Sequence, residues 1–288
     1  MPILIDFSGT VHAAVHVDIR NHQDTSKEFL RHIIINQIKS IRKKFHHTYG
    51  EPVICMDSRC GYWRKSVFPY YKAKRKEARE ASAIDWGTVF SYVNEIADEI
   101  EENLPYKVIR VDKAEADDII GTLAYKQPWN EDSLFGDDEP CLIASNDHDF
   151  KQLHGIQGVQ QFFPFSQKIE RVSRPDLYLV EHILKGDPGD GVPNVKSQSD
   201  IFLKEGVRQK AVTQKYIKEY LDTGTVPDCD KERLKENQQL IDLRNVPEDL
   251  KIKIINAYKD AKYGNRSKLF PYFVRTGLNM HLQNISDF

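Results

Sequence analysis

The chain has 288 residues, 40% of them hydrophobic, which is enough to bury one large core or two closely joined ones. Its formal net charge of −2 at pH 7 argues, taken alone, against a nucleic-acid-binding protein, because such proteins usually carry a basic excess. No segment is apolar and long enough to span a bilayer, the N-terminus lacks a signal peptide, and no CxxC pair among the four cysteines indicates a zinc site or a disulfide framework.

The first two-thirds of the chain alternate between strand-like and helix-like segments. Short apolar runs, typical of buried strands, occupy residues 2–6, 52–57, 106–111 and 141–145. Apolar residues at helical spacing occupy 29–45, 86–100 with Asp85 as the N-cap, and a segment through 119–123. This alternation predicts an α/β fold with a mostly parallel central sheet and helices on both of its faces. The acidic stretch 128–140 is interpreted as a surface loop, and the chain after about Arg174 as a series of helices.

Acidic residues stand where the predicted strands end and the following segments begin. The set comprises Asp6, Asp57, Glu115, Asp117, Asp118, Asp147, Asp149, Asp187 and Asp190, the last two in a glycine-rich loop. Any one of them has a structural interpretation, because acids cap helices and Asp is common in turns. As a set they are expected to converge, because ligands of parallel α/β sheets bind beyond the carboxyl ends of the strands.

Carboxylates crowded into one cleft repel each other, and divalent cations remove that cost. Ligands that are all oxygen, without His or Cys, indicate a hard ion such as magnesium or manganese. Two groups of acids indicate two ions, an arrangement that hydrolyses phosphodiesters by generating hydroxide and stabilising the leaving oxygen.

Basic residues concentrate between positions 59 and 79, where only Glu77 is acidic. They are Arg59, Arg64, Lys65, Lys72, Lys74, Arg75, Lys76 and Arg79, and aromatic residues lie between them. Such segments contact phosphates and stack on splayed bases, although a solvated helix with its aromatic residues in the core gives the same pattern. Because the segment follows Asp57 directly, we expect it to overhang the acidic cleft and to guide single-stranded substrate toward the metals.

Eight motifs in chain order resemble those of the 5′ nuclease, or flap endonuclease, superfamily, and within it the ribonuclease H subgroup of T-even-type bacteriophages. The motifs are LIDFS at 4–8, CMD at 55–57, GYWR at 61–64, YYK at 70–72, EADD at 115–118, SNDHDF at 145–150, LKGD at 184–187 and YFVRTGL at 272–278. The resemblance implies a metal-dependent 5′→3′ exonuclease and flap endonuclease that hydrolyses phosphodiesters near 5′ ends of DNA and RNA–DNA duplexes. It also implies a physiological task, the removal of lagging-strand RNA primers in phage DNA replication.

The same resemblance implies the roles of individual residues. The first of two Mg²⁺ ions, for which Mn²⁺ is a substitute, would be held by Asp6, Asp57, Glu115, Asp117 and Asp147. The second would be held by Asp149, Asp187 and Asp190. Lys72 and Arg75 would contact the scissile phosphate as catalytic residues, with Asp118 nearby. The nucleic acid would be bound by Arg64, Lys65, Tyr71, Lys72, Lys74, Arg75 and Lys196, with Tyr71 stacking near a flipped-out nucleotide.

In overall organisation, the resemblance implies a catalytic α/β region at 1–185, with a basic helical arch at about 59–84 over the active site. Residues 186–288 would form a closely packed helical region with a helix–turn–helix-type duplex-binding element around 186–202. Many relatives carry a Gly-Ile-Gly-like hairpin there that often binds potassium, but residues 192–199 lack those glycines, so a potassium site is not predicted.

The resemblance further implies flapped or nicked duplex DNA and RNA–DNA hybrid as substrates. The single-stranded DNA-binding protein and the sliding clamp of the phage replisome are the candidate protein partners. We expect a monomer, without a membrane partner, in the reducing cytoplasm of an infected bacterial host.

Three other functions compete with this interpretation. The run Asp6-Phe7-Ser8-Gly9-Thr10 is similar to the haloacid dehalogenase signature, but Ser8 stands where a phosphatase needs its second Asp. A PIN-like ribonuclease would share the acidic sheet edge, but those domains are shorter and lack the basic insertion. A structure-specific DNA-binding protein without catalysis would have lost carboxylates, and none of the expected ones is missing.

Overall fold

The computed structural model describes residues 1–11, 24–75, 82, 84–130 and 139–288. Within them, one six-stranded sheet has the order β3-β2-β1-β4-β5-β6. The strands are β1 (Ile3–Asp6), β2 (Pro52–Met56), β3 (Lys107–Arg110), β4 (Cys141–Ala144), β5 (Val159–Phe163) and β6 (Lys168–Glu170). The first five run parallel, and β6 pairs antiparallel with β5. The prediction of a mostly parallel sheet is therefore confirmed.

Helices connect these strands and make up most of the C-terminal region. They are α1 (Lys27–Tyr49), α2 (Arg64–Val67), α3 (Trp86–Asn103), α4 (Ala116–Lys126), α5 (Pro175–Lys185), α6 (Gln214–Thr223), α7 (Lys231–Ile241), α8 (Glu248–Asp260), α9 (Leu269–Arg275) and α10 (Asn279–Leu282). Asp85 caps α3 as predicted, since its carboxylate accepts the amide N–H of Thr88 at 3.1 Å. No helix in the described part of the chain combines the length and apolar composition that a membrane span needs.

Hydrophobic alternation along the central strand divides the core between the two faces of the sheet. Ile3 and Ile5 belong to one buried cluster, which α1 and α3 cover, while Leu4 between them belongs to a second cluster, which α4 and α8 cover. The C-terminal segment returns to the first cluster, where Phe273 and Phe288 are fully buried. Every residue of β1, β2 and β4 is buried, as expected of strands with helices on both faces.

The strand order shows where along the sheet a ligand crevice is expected. The chain proceeds from β1 through β2 to β3 on one side, then continues on the other side of β1 with β4. The boundary between β1 and β4 is therefore the topological switch point, where a crevice opens beyond the carboxyl ends of parallel strands.

Several local expectations were wrong or lie outside the described residues. Strands β5 and β6 were not predicted, because β5 contains two glutamines and all three residues of β6 are exposed. The helix expected within residues 186–202 is not formed: residues 186–213, all described, link α5 to α6 and contain only the 3-10 helix Ile201–Leu203. Residues 128–130 form a 3-10 turn, and 131–138 lie outside the described residues.

The segment expected to form a helical arch is described only in part. Residues 76–81 and 83, which include Lys76 and Arg79, lie outside the described residues. In the described part, α2 is a single helical turn and residues 69–73 form turns.

Candidate active site

A cavity of about 530 Å³ opens at the carboxyl edge of the sheet, where the switch point lies. All eight acids proposed as metal ligands line it, together with the two proposed catalytic cations, Lys72 and Arg75. The eight acids are Asp6, Asp57, Glu115, Asp117, Asp147, Asp149, Asp187 and Asp190. Acids separated by up to 184 positions in the sequence thus share one cleft, as the strand-end positions predicted.

Asp6, at the end of β1, is held in place by two hydrogen bonds. The amide N–H of Gly9 donates to Oδ1 at 2.8 Å, and the hydroxyl of Ser145, just after β4, donates to Oδ2 at 2.6 Å. Burial, reinforced by the charges of Asp57 and Asp147, raises the pKa of Asp6 to about 7, although the two hydrogen bonds lower it. The sequence did not single out Gly9 or Ser145 as site residues, because a small residue near an acid carries no chemical signature of its own.

Backbone amides orient the neighbouring carboxylates. Asp57 accepts the N–H of Ala116 at the start of α4, at 2.7 Å. Asp147 caps the 3-10 helix His148–Gly155 by accepting the N–H of Asp149 at 2.9 Å. In each case the bond uses Oδ1, so the second carboxylate oxygen can serve another ligand.

Three further acids of the cavity have raised pKa values. Burial raises the pKa of Asp117 and of Asp149 well above the usual value, and the nearby charge of Asp147 adds to both shifts. Burial, reinforced by the charge of Asp190, raises the pKa of Asp187 to about 6. This clustering is costly for a protein without cations, and it fits divalent metal ions, whose charge would neutralise the carboxylates.

His182 of α5 joins the second group of acids, a position that no motif around it in the sequence indicates. Donor atoms of Asp149, His182 and Asp187 all lie within 4.8 Å of one another. The Nδ1 of His182 is 3.4 Å from the Oδ1 of Asp149. Burial lowers the pKa of His182, which favours the neutral imidazole.

Lys72 and Arg75 both reach Asp190. The Lys72 ammonium contacts the Glu115 carboxylate and lies 3.5 Å from Oδ2 of Asp190, while the Arg75 guanidinium forms an ion pair with Oδ1. Burial alone would raise the pKa of Asp190, but these two cations hold it below its usual value. Lys72 has a φ of 57°, which is outside the right-handed helical region, so Lys72 and Arg75 do not lie on one face of a helix. A turn brings both side chains to Asp190 instead.

Arg64 differs from its expected role in phosphate binding. Its side chain is buried, where the guanidinium pairs with Glu115 at 2.7 Å and with Asp118 at 2.8 Å and donates to the carbonyl of Leu240. A guanidinium enclosed in this way cannot contact a phosphate. Its contacts join the acidic edge of the sheet to the end of α7.

Asp118 and Tyr71 are also enclosed. Asp118 is fully buried and outside the cavity lining; its Oδ2 accepts the N–H of Glu115 at 2.9 Å and the indole N–H of Trp63 at 3.0 Å. Tyr71 is 3% exposed, and its hydroxyl lies 2.7 Å from Asp190 and 2.9 Å from Glu115. The structure thus gives Asp118 a packing position rather than a catalytic one, and it leaves the Tyr71 ring unable to stack on a base.

The remaining proposed nucleic-acid contacts lie nearer the surface. Lys65 and Lys74 are exposed, on either side of the turn that carries Lys72. Lys196 is half-buried, with its Nζ 4.8 Å from the ring centroid of Tyr216. Asn194 organises the loop around Lys196 by accepting its N–H at 3.0 Å, a local bond that takes the place of helical pairing.

The close turn after α5 depends on a glycine. Gly186 has a φ of 69°, and a Cβ there would lie 2.4 Å from the carbonyl oxygen of Val192. Only a residue without a side chain allows this approach, which brings Asp187 and Asp190 back over the cavity.

Two family models match the chain in succession. The model described as "5'-3' exonuclease, N-terminal resolvase-like domain" matches residues 2–177, and the model described as "T4 RNase H, C terminal" matches residues 173–288. Ribonuclease H of Enterobacteria phage T4 is 33% identical over 296 aligned residues, which cover 99% of this chain and 95% of that protein. Flap endonuclease Xni of Shewanella pealeana is 28% identical over 158 residues, covering 52% of this chain and 55% of that protein.

Solved structures of bacteriophage T5 proteins have the same fold. The T5 5′-exonuclease with bound divalent zinc aligns with a TM-score of 0.58 and 16% identity, covering 90% of this chain and 99% of that chain. The T5 flap endonuclease in a pseudo-enzyme–product complex with DNA and metal ions aligns with a TM-score of 0.59 and 14% identity, covering 90% and 98%.

Proposed function

The chain belongs to the 5′–3′ exonuclease and flap endonuclease family of phage T4 ribonuclease H, and on that premise we propose that its acidic cavity cuts DNA and RNA–DNA duplexes near a free 5′ end. The enzyme is a nuclease of that family. The observation that carries the proposed chemistry is the arrangement of eight carboxylates around one cavity at the switch point of the sheet.

The carboxylates form two groups. Asp6, Asp57, Glu115, Asp117 and Asp147 come from the ends of the parallel strands and the start of α4, and they would hold a first Mg²⁺ directly or through water. Asp149, Asp187 and Asp190 come from the 3-10 helix and the loop after α5, and they would hold a second. When bound, such a pair supplies hydroxide and stabilises the leaving oxygen of a phosphodiester, and Mn²⁺ can replace Mg²⁺.

Lys72 and Arg75 place positive charge along the lining of the same cavity. Both cations pair with Asp190 in this structure, and a scissile phosphate in the cavity would replace Asp190 as their ion-pair partner. Their charges would offset the negative charge that grows on the phosphate in the transition state. Lys65 and Lys74 would contact phosphates farther out, within a basic arch over residues 59–84, and Lys196 would contact the duplex.

The biological task we propose is removal of RNA primers and trimming of flaps during lagging-strand synthesis in a phage-infected bacterium. Support comes from the likeness to phage T4 ribonuclease H along 99% of the chain. The proposed protein partners are the single-stranded DNA-binding protein and the sliding clamp of the phage replisome, which handle the same DNA intermediates.

One gel assay tests the proposal. A 5′-labelled flap, a nicked duplex and an RNA-primed duplex are incubated with the enzyme in Mg²⁺ or in EDTA. We expect short oligomers from the 5′ end of each substrate in Mg²⁺ and none in EDTA. Full cleavage in EDTA, or degradation only from 3′ ends, contradicts the proposal. Preference for single-stranded RNA would favour a PIN-like ribonuclease, and binding without cleavage would favour a structural DNA-binding protein.

A further inference from the structure

We propose that His182 is a nitrogen ligand of the second metal position, and that it makes this position prefer transition-metal dications such as Mn²⁺ over Mg²⁺. The inference rests on the proposed two-metal function and concerns which ion occupies one of the two positions. The first position would remain an all-oxygen site, suited to Mg²⁺.

The backbone brings His182 to the acids from a separate element. His182 lies in the last turn of α5, five residues before Asp187, and α5 packs along the 3-10 helix that carries Asp149. The donor atoms of the three side chains lie within 4.8 Å of one another. Two donors on opposite sides of one ion are about 4.2 Å apart at bond lengths of roughly 2.1 Å, so small side-chain rotations suffice to share an ion.

The imidazole has a ring nitrogen that no described residue pairs with by a hydrogen bond. Nδ1 of His182 is buried from solvent and, among the described residues, has no hydrogen-bond partner, although Oδ1 of Asp149 is 3.4 Å away. Such a buried polar atom is costly unless something outside the chain pairs with it. The Tyr178 ring packs edge-on against the imidazole, with centroids 5.8 Å apart, which fixes the ring where it lines the cavity.

A nitrogen donor changes which ion the position selects. Carboxylate and water ligands suit Mg²⁺, whereas imidazole suits transition metals, whose affinities rise along the first row from Mn²⁺. One imidazole among carboxylates therefore adds binding energy for Mn²⁺ and later ions, and little for Mg²⁺.

A purely structural role for His182 makes a different prediction. If the imidazole only donated a hydrogen bond to Asp149, it would position a carboxylate and would never bind the ion. Replacing it would then weaken Mn²⁺ and Mg²⁺ binding alike, and no nitrogen would lie next to the metal.

The test is pulsed EPR on the full-length protein loaded with Mn²⁺, which detects the magnetic coupling of a directly bound ¹⁴N nucleus. The variant His182→Gln removes the ring nitrogen and keeps a side chain that can donate a hydrogen bond to Asp149. The matched control is His148→Gln, because His148 also lines the cavity, with its Nδ1 2.9 Å from the ammonium of Lys151.

We expect an imidazole ¹⁴N coupling in the wild type and in His148→Gln, and its loss in His182→Gln. Calorimetry should show Mn²⁺ affinity falling roughly tenfold in His182→Gln, while Mg²⁺ affinity changes by less than about twofold. The absence of the coupling from the wild type, its persistence in His182→Gln, or an equal loss of both affinities overturns the inference. If the wild type lacks the coupling but cleaves flaps in Mg²⁺, the His182 inference fails and the proposed function stands. If the coupling is present but no 5′ substrate is cleaved, the proposed function fails and His182 is still a metal ligand.

Discussion

Gly9 and Asp6 are in such close contact that no side chain fits between them. The Gly9 amide donates to Asp6 at 2.8 Å, and a Cβ at position 9 would lie 2.1 Å from Oδ2 of Asp6. Gly9→Ala should therefore push the Asp6 carboxylate out of the cavity without removing any acid. We expect flap cleavage at low Mg²⁺ to fall by about 10- to 100-fold, as when the support of a metal ligand is lost.

The control for this change is Gly155→Ala, because a Cβ at Gly155 would meet Pro175 no closer than 3.8 Å, an ordinary contact. Its cleavage rate should match the wild type within about twofold. A Gly9→Ala enzyme with a wild-type Mg²⁺ dependence would show that Asp6 does not need its observed position.

Asp147→Asn should nearly abolish cleavage and leave DNA binding largely intact. Asparagine caps a helix as well as aspartate does, so the 3-10 helix that begins after position 147 should persist. Loss of a direct ligand should slow single-turnover cleavage by more than about 100-fold, since even outer partners of metal ligands cost 10- to 100-fold.

The matched control for this loss of an acid is Asp176→Asn. It neutralises an exposed acid that pairs with Arg174 and does not line the cavity. Cleavage by Asp147→Asn within a few-fold of wild type at low Mg²⁺ would refute the assignment of this residue to the metal.

Lys72→Ala should slow the chemical step far more than it weakens binding. The Lys72 ammonium lies inside the cavity among the acids, where a positive charge acts on the reacting phosphate. We expect a loss of roughly 100-fold or more in the single-turnover rate at saturating enzyme. An unchanged rate with a raised dissociation constant would mean that Lys72 only attracts DNA.

Lys74→Ala provides the contrast, because Lys74 is exposed and two residues away. Its loss should weaken duplex binding modestly and reduce the salt dependence of binding by about one charge, with little effect on the saturated rate.

Asp6 should make the metal-free protein less stable as the pH rises. Burial raises its folded-state pKa from 3.8 to about 7, so its contribution to stability is fully present below about pH 4 and is lost as the pH rises through 7. Urea unfolding in EDTA should therefore show Asp6→Asn more stable than wild type at pH 8, by a few kcal/mol at about 1.4 kcal/mol per pKa unit.

At pH 5 this advantage of Asp6→Asn should fall to less than half, because the folded wild type then keeps its proton while the unfolded chain still ionises. Mg²⁺ at pH 8 should stabilise the wild type more than Asp6→Asn. An equal difference between the two proteins at both pH values would show that Asp6 ionises normally in the fold.

The positions of the acids could be predicted from the sequence because the carboxyl ends of parallel strands all lie at the same edge of a sheet. An acid directly after a buried apolar run lies at the carboxyl edge, whatever its distance along the chain, so Asp6, Asp57 and Asp147 could be grouped before the strand order was known. The cations were harder to place. Lys72 and Lys74 are similar in sequence, yet one points into the cavity and the other to solvent.

Roles that depend on distant contacts could not be predicted from local patterns. Arg64 is enclosed partly by Leu240, which is 176 positions away, and nothing near either residue indicates this contact. Nothing in the local sequence distinguishes His182 from other histidines. Only the packing of α5 against the 3-10 helix brings it close to Asp149. Ser145 and Gly9 position the Asp6 carboxylate through their small size and one hydrogen bond each. Such a role produces no periodicity or charge pattern in the sequence.

The second group of acids has a consequence for the newly made chain. Asp187 and Asp190 follow α5 and return over a cavity whose floor is built from the first 150 residues. A ribosome that has translated only the sheet region has therefore produced an incomplete set of carboxylates. The polypeptide completes the set of eight carboxylates around the cavity only once position 190 has been translated, and shorter unfinished chains lack Asp187, Asp190 or both.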